Sequence, residues 1–409
     1  MRSWKANYAA LLVAEFLAMI GFGLSGPVVP LFLEEDIGIT DPVRLKAWVG
    51  LISSASSITM AIFAPIWGHL ADTFSRRAML LRAMFGGGII ISLSAFVTSP
   101  MQFLVLKGIQ GCLTGTVAAA TVLTAGITPA AQVAFALGLL QTIIAVGNSL
   151  GPLVGGFLAD LIGYRAAFFS TGIILVLSGA VVLKWVDADK KPQREQIADA
   201  EGQPSEQTKI KSRITIFPDF KPILGSSLLV TMMLVTFGVN LAGGVAFPML
   251  PLFLKSLSSD SANVASSTGI VLGIGAAASA LAAVMVGKFS TRVGYWKTLI
   301  FCLSVGAALT VPQAMVANVV QLAVLRALAS FFIGGTMPVI NAIIAVSADK
   351  KHQGSIYGIN SSVSMAGHAL GPLIGAVVAM LSLRAMFAAT AVIYGFAAWG
   401  ILRRQKKSG

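Results

Sequence analysis

The chain carries little charge for its length. Only 11% of its 409 residues are Asp, Glu, Lys or Arg, whereas a soluble domain carries roughly 25%. This scarcity excludes an ordinary soluble protein. The chain also has only 2 cysteines, Cys112 and Cys302, and both lie in apolar stretches. This position argues against a structural disulfide, so the two cysteines give no information on the redox compartment.

Several motifs that would indicate catalysis are missing. The sequence contains no P-loop, no Cys and His spacing typical of a metal site, and no Ser, His and Asp set on adjacent elements. We therefore expect neither ATP hydrolysis nor any other enzymatic activity, and neither a cofactor nor a metal.

Apolar residues, in contrast, make up 56% of the chain. They form twelve runs, each of the ~20 residues that a helix needs to cross a bilayer. This pattern predicts an all-α membrane protein with 12 transmembrane helices. The runs lie near residues 8–33, 47–67, 78–98, 101–125, 134–159, 166–185, 223–254, 267–286, 298–316, 319–346, 355–380 and 384–402.

The sequence repeats itself after about 220 residues. Gly147–Gly156 returns as Gly367–Ala376, and Pro27–Leu33 returns as Pro248–Leu254. A repeat at one offset over this length indicates two homologous halves. A polar stretch of mixed charge between them is typical of a solvated linker. We predict a six-helix bundle over 1–185, a cytoplasmic linker over 186–220 and a second six-helix bundle over 221–409.

The net charge of +13 is distributed unevenly. Most of the 29 Lys and Arg residues lie at the termini and in the loops that follow even-numbered helices. This is the positive-inside pattern of a multi-pass membrane protein, and it argues against nucleic-acid binding. We expect both termini in the cytoplasm and the chain in the cell membrane, either plasma or inner.

Glu15 is the one acid clearly inside a predicted span. A carboxylate in hydrocarbon is costly, so it usually faces the bundle interior or an aqueous cavity. On a helix, Glu15 shares a face with Met19, Phe22 and Gly26. Because burial disfavours the charged form, the residue is a candidate proton or cation site. The alternative is a side chain that reaches cytoplasmic water.

The loop between the second and third spans resembles the signature of the major facilitator superfamily. The loop matches at Gly68, Asp72, Arg76 and Arg77 and departs from the signature at Thr73 and Ser75. The resemblance implies a gating loop, in which Asp72 binds the positive end of the eleventh helix near Gly354. Alternatively, the arginine pair only sets the topology.

The fourth span contains Lys107–Gly111, which is similar to the Arg-x-x-Gln-Gly segment of the same family. Lys107 lies roughly 15 Å in depth from Glu15, so we expect no direct pair. Either polar neighbours such as Gln110 and Gln141 satisfy Lys107, or it attracts an anionic group of a substrate. Arg326 in the tenth span raises the same question.

The repeated glycine stretch resembles the antiporter signature of drug exporters. Its first copy consists of Gly147, Gly151, Pro152, Gly155 and Gly156. Glycine at every fourth position leaves a bare helix face that a second backbone can approach closely. We expect this face to pack against the eighth span and seal the periplasmic side. A simple packing motif is the alternative.

Two further polar residues lie in spans of the second half. Asn240 is in the seventh span, and His368 takes the place of Asn148 in the second glycine stretch. His368 is either a hydrogen-bonded structural residue or a proton relay.

Together, these motifs resemble the twelve-helix drug:proton antiporter branch of the superfamily. The resemblance implies two bundles around a central cavity that opens alternately to each side. It further implies proton-coupled efflux of small amphipathic compounds by a monomer, with protons, substrate and membrane lipid as its partners. One alternative is a carrier or flippase for an anionic solute or lipid, and a more remote one is a receptor or scaffold that does not transport.

Overall fold

The computed structural model describes residues 3–73, 75–187, 223, 225–257, 263–347 and 353–408. These residues contain helices and no strand. Twelve helical stretches among them are long and apolar enough to cross a membrane, which confirms the predicted all-α architecture. The stretches are Trp4–Glu35, Pro42–Phe63, Arg76–Ser94, Pro100–Ile127, Val133–Ile162, Tyr164–Trp185, Ser227–Leu257, Val264–Val293, Tyr295–Met315, Val319–Ser347, Ile356–Leu381 and Ala385–Gln405.

In the described parts of the chain, each half contains eight α-helices, and the helices of the two halves correspond in order. The first half contains α1 (Trp4–Leu24), α2 (Val29–Glu35), α3 (Pro42–Thr73), α4 (Arg76–Ser94), α5 (Pro100–Leu113), α6 (Thr116–Ile127), α7 (Val133–Ile162) and α8 (Tyr164–Trp185). The second contains α9 (Ser227–Ala246), α10 (Leu250–Leu257), α11 (Val264–Val293), α12 (Tyr295–Thr310), α13 (Val319–Gly334), α14 (Thr336–Ser347), α15 (Gln353–Leu381) and α16 (Ala385–Ser408). Thus α1 matches α9, and α8 matches α16.

The fourth and tenth spans are each broken into two helices. In the fourth, α5 ends at Leu113 and α6 begins at Thr116, with Gly115 between them at φ +126°. Only glycine adopts such a conformation without strain. In the tenth, Gly335 separates α13 from α14. The predicted runs at 101–125 and 319–346 are confirmed as spans, each of which consists of two helices.

Aromatic side chains pack the two bundles at equivalent positions. Phe32, Phe103 and Phe168 meet edge to face, with ring centroids 5.1 to 5.5 Å apart. Phe253 and Phe387 do the same in the second bundle at 5.0 Å. All five rings are almost completely buried, so they fasten α2 to α8 and α10 to α16.

The described end of the first bundle is tied to its beginning. The Asn7 amide donates to an Asp187 carboxylate oxygen at 3.2 Å, and the Asp187 N–H donates to Asn7 Oδ1 at 3.0 Å. Most of the predicted linker lies outside the described residues.

Candidate functional site

The first glycine stripe packs within its own bundle. A Cβ atom at Gly151 would lie 2.7 Å from Gly23 Cα, and one at Gly147 would lie 2.5 Å from Met19 Cβ. Both partners belong to α1, and the second copy packs in the same way, with Gly371 against Gly244 of α9. Gly147, Gly151 and Gly155 therefore face α1, whereas the expected contact with the eighth span, α11, is made by Gly156 and Pro152 of the same motif. Regular spacing shows which face is bare but does not show which helix meets it.

Contacts between the bundles use the neighbouring face of α7. Gly156 lies against the backbone of Ala265, and Gly269 of α11 lies against the Pro152 carbonyl. The equivalent crossing of α3 and α15 repeats this geometry, since a Cβ at Gly50 would lie 2.9 Å from the Pro372 carbonyl oxygen. We call these two crossings the inter-bundle seal.

An aspartate strengthens one of the two crossings. Asp160 at the end of α7 accepts hydrogen bonds from the N–H groups of Ala265 at 3.3 Å and Ser266 at 2.7 Å. A carboxylate at a helix N-terminus is stabilised by the free N–H groups and the helix dipole. Asp160 therefore joins the first bundle to α11. The equivalent residue in the second half is Met380, so the other crossing lacks this cap. The sequence offered one signal, an acid one turn after Gly156.

An ion pair joins the bundles on the same side. The Lys255 ammonium of α10 lies 2.8 Å from Glu35 Oε1 and 3.1 Å from Glu34 Oε2. Glu35 also accepts a hydrogen bond from the Tyr164 hydroxyl at 3.1 Å. These side chains are partly exposed, so the pair adds little to stability. It lies at the end of the molecule where the two bundles meet.

Lys255→Gln is expected to favour opening of the seal only slightly. An exposed pair contributes at most about 1 kcal/mol, or about fivefold in an equilibrium. Arg165→Gln is the matched control, because Arg165 pairs with Asp36 at 3.5 Å within one bundle. Distances between spin labels on the two bundles should lengthen in the first variant only. Equal lengthening in both variants would contradict the assignment.

Glu15 is completely buried inside the first bundle, with 0% of its surface exposed. The side chain therefore reaches neither lipid nor water. Neither carboxylate oxygen has a hydrogen-bond partner among the described residues, and the buried Thr116 of α6 is a neighbouring polar side chain. An unpartnered carboxyl group in such a site is a strong candidate for proton binding.

The residues that share a helical face with Glu15, namely Met19, Phe22 and Gly26, meet different elements. Met19 packs against Gly147 of α7, and Phe22 packs against Gly87 of α4. A Cβ atom at Gly26 would lie 3.6 Å from Cζ of Phe247, which belongs to the second bundle. One helical face meets several helices because α1 is surrounded by them.

The predicted cations Lys107 and Arg326 have no described acidic partner. Lys107 is 8% exposed, and its ammonium lies 5.7 Å from the Phe103 ring centroid. Gln110 Oε1 is buried without a partner, so it accepts no hydrogen bond from Lys107. Lys107 forms no ion pair with Glu15, as expected from the sequence.

Arg326 occupies the equivalent position in the second bundle. It packs beside Gly275 of α11 and interacts with the buried Tyr394. Both cations thus lie in bundle interiors, where an anionic group would find them without a competing carboxylate.

Asn240 and His368 differ in their surroundings. Asn240 is buried, and its amide donates to the Thr236 carbonyl at 2.8 Å. His368 is exposed and has no hydrogen-bond partner among the described residues, as is also true of Asn148 at the equivalent place. Asn240 therefore has a structural bond, whereas His368 is accessible.

The arginine pair of the predicted gating loop binds helix ends of its own bundle. Arg76 donates to the Val122 carbonyl of α6 at 3.5 Å, and Arg77 donates to the Leu183 carbonyl of α8. Cations at helix C-termini are favourable. The side chain of Asp72 lies outside what the structure describes, so the latch stays a prediction.

Besides Asp160, the sequence pattern does not reveal two further polar residues of the first bundle. The Arg82 guanidinium carbon lies 3.4 Å from the Trp67 ring centroid, and Arg82 Nε and Nη1 are buried without partners. The Trp67 indole N–H donates to the Cys112 carbonyl at 2.6 Å. From the sequence, Arg82 is counted among the basic residues of the loops because it lies near the start of its span. The other missed residue is Thr116, which no sequence pattern distinguishes.

The chain resembles known multidrug resistance proteins over nearly its whole length. It is 32% identical to the multidrug resistance protein MdtG of Escherichia fergusonii over 409 residues, which covers 99% of this chain and 96% of that protein. It is also 32% identical to MdtG of Proteus mirabilis over 395 residues, with 96% and 94% covered.

Solved structures share the fold at lower identity. A bacterial homologue of the human lysosomal transporter Spinster, in an inward-facing and unoccupied conformation, superposes with a TM-score of 0.77 at 14% identity, covering 97% of this chain and 96% of that one. The nucleoside transporter NupG, as a mutant, superposes with 0.77 at 14% identity, covering 97% and 99%.

The sequence profile of the Major Facilitator Superfamily matches residues 11–320 and 265–409. These matches, the full-length relatives and the two equivalent sets of membrane-spanning helices agree with one another. This chain is a multi-pass membrane protein that belongs to the Major Facilitator Superfamily.

Proposed function

We propose that this transporter exports small amphipathic compounds in exchange for protons by alternating access. The observation that carries the proposal is Glu15, a carboxyl group with 0% exposure and no hydrogen-bond partner among the described residues. It lies on α1, which packs directly on the glycine stripe of α7. The names of the MdtG relatives, as multidrug resistance proteins, support drug efflux.

The inter-bundle seal supports the alternating mechanism. With the termini in the cytoplasm, as the positive-inside pattern favours, the seal closes the outer side of a cell membrane. Export then requires Gly156 to separate from Ala265 and Gly50 from Pro372. Proton entry at Glu15 is the event that we assign to this opening, and proton release toward the cytoplasm accompanies the return. No cofactor besides the proton gradient takes part, and one monomer contains the complete pathway.

Proton flux in proteoliposomes tests the proposal. Purified protein is reconstituted with a pH-sensitive dye inside, and cationic, neutral and anionic amphipathic compounds are added in separate assays. We expect at least one cationic or neutral compound to change the internal pH in the direction of exchange. Transport without any proton movement would contradict antiport, and proton-coupled transport of anions alone would favour the second candidate.

The second candidate is a carrier or flippase for an anionic solute or lipid. It is favoured by three buried or partly buried cations that have no described acidic partner, namely Lys107, Arg326 and Arg82. In that case Lys107→Gln or Arg326→Gln would reduce transport far more than Glu15→Gln. The opposite order supports proton-coupled efflux.

A further inference from the structure

The helix α6 begins inside the first bundle with no side-chain cap. Its preceding residue is Gly115, which has no side chain to accept from the first free N–H groups. These groups need a partner, and the helix dipole makes the position favourable for an anion. The helix spans 12 residues, from Thr116 to Ile127.

A buried acid faces this helix start. Glu15 of α1 has no exposed surface, and both of its carboxylate oxygens lack partners. A neighbouring polar side chain is Thr116, the first residue of α6 and itself buried. Helices α1 and α6 are in contact. An unpartnered carboxyl group and an uncapped helix start therefore lie together.

We propose that Thr116 and the start of α6 form the docking position for the Glu15 carboxylate after it has released its proton. Thr116 is then a positioning residue for proton exchange. This inference rests on the proposed function, in which Glu15 is the exchanging group. Broken membrane helices commonly present their N-termini to anionic groups in this way.

The proton balance is simple. The Glu15 carboxyl group gives its proton to water that enters from the open side, and the O–H bond breaks with both electrons left on the carboxylate. The Thr116 hydroxyl and free N–H groups of α6 then donate hydrogen bonds to that carboxylate. Uptake of a proton from the other side reverses both steps.

The helices around Glu15 supply no competing charge. Besides α6, α1 packs against α7, which contributes Gly147, and against α8, where the Ser178 hydroxyl donates to the Ala14 carbonyl. No charged side chain of the described residues interacts with Glu15. The start of α6 is the available electrostatic partner.

The second bundle has an equivalent helix start without an acid, although Gly335 there has a helical φ of −74° where Gly115 has +126°. There α14 begins at Thr336 after Gly335, and the place of Glu15 is taken by Thr236. The Thr336 hydroxyl donates to the Ile333 carbonyl at 2.6 Å. Thr336→Val is therefore a matched control for Thr116→Val.

The test is the pH dependence of substrate-driven proton exchange in proteoliposomes of the full chain. In Thr116→Val the carboxylate loses a donor, so Glu15 keeps its proton to higher pH. We expect the midpoint to move upward by about one pH unit, with no movement in Thr336→Val and recovery in Thr116→Ser. An unchanged midpoint in Thr116→Val, or an equal shift in Thr336→Val, would overturn the inference.

A second measurement separates this inference from the proposed function. Infrared difference spectroscopy follows the carboxyl C=O band on titration, and Glu15→Gln should remove that band. If proton exchange persists in Glu15→Gln, the proposed role of Glu15 fails. If exchange is lost in Glu15→Gln but neither the band nor the midpoint moves in Thr116→Val, only the docking position fails. Thr116→Ala replaces Thr116→Val if the valine variant does not fold.

Discussion

Glu15→Gln is expected to abolish proton-driven accumulation of substrate in inverted vesicles. Glutamine keeps the size and the hydrogen-bonding capacity of a protonated carboxyl group, but it cannot release a proton. The variant should therefore hold the neutral state permanently at a site with no water exposure. Exchange of labelled for unlabelled substrate, which requires no net proton movement, should persist and show that the protein is folded.

Two controls define this result. Glu15→Asp keeps the titratable group and should retain part of the coupling. Thr236→Val alters the equivalent position of the second bundle, where the Thr236 hydroxyl is also buried without a partner, and should leave coupling intact. Full proton-driven transport by Glu15→Gln would remove Glu15 from the mechanism.

Gly156→Ala is expected to open the seal. The new Cβ would collide with the Ala265 carbonyl and would lie 2.7 Å from Ala265 C and 3.0 Å from Ser266 Cα. These are backbone atoms, so only a shift of α7 relative to α11 relieves the overlap. Overpacking of this kind costs about 1–3 kcal/mol, which is about 5- to 150-fold in the equilibrium between closed and open outer sides.

Spin labels at two exposed loop positions measure this opening. Thr40→Cys and Asn263→Cys place one label on each bundle, in a chain that also carries Cys112→Ala and Cys302→Ala. In Gly156→Ala, most molecules should show a longer distance between the two spin labels than in the parent chain. Gly138→Ala is the matched control on the same helix, because a Cβ there meets nothing within 4 Å. An unchanged distance distribution in Gly156→Ala would show that this crossing does not hold the outer side closed.

The span count and the doubling of the chain can be predicted because both are encoded locally. An apolar run of sufficient length defines a span, and repeated stretches such as Gly147–Gly156 and Gly367–Ala376 define the halves. The break at Gly115 could not be predicted in this way. Gly111 lies only four residues earlier and continues a regular helix, so composition does not distinguish a glycine that breaks a helix from one that packs in it.

The candidate site was predictable in its residues and less so in its contacts. The sequence places Glu15 inside a span, and the structure finds it buried. Its neighbour Thr116 follows from the packing of α1 on α6, which depends on all the other helices. Asp160 was missed for the same reason, because its value as a cap depends on where α11 begins. Partners across a bundle are properties of tertiary packing.

The seal has the symmetry of a homodimer within one polypeptide. Gly50 of the first half packs against the Pro372 carbonyl of the second half. In the same way, Gly269 of the second half packs against the Pro152 carbonyl of the first. An interface in which the same surface serves both partners is isologous. Two copies of one six-helix half could thus form such a closure, whereas Asp160 and Glu15, whose equivalents are Met380 and Thr236, make the two halves of this chain unequal.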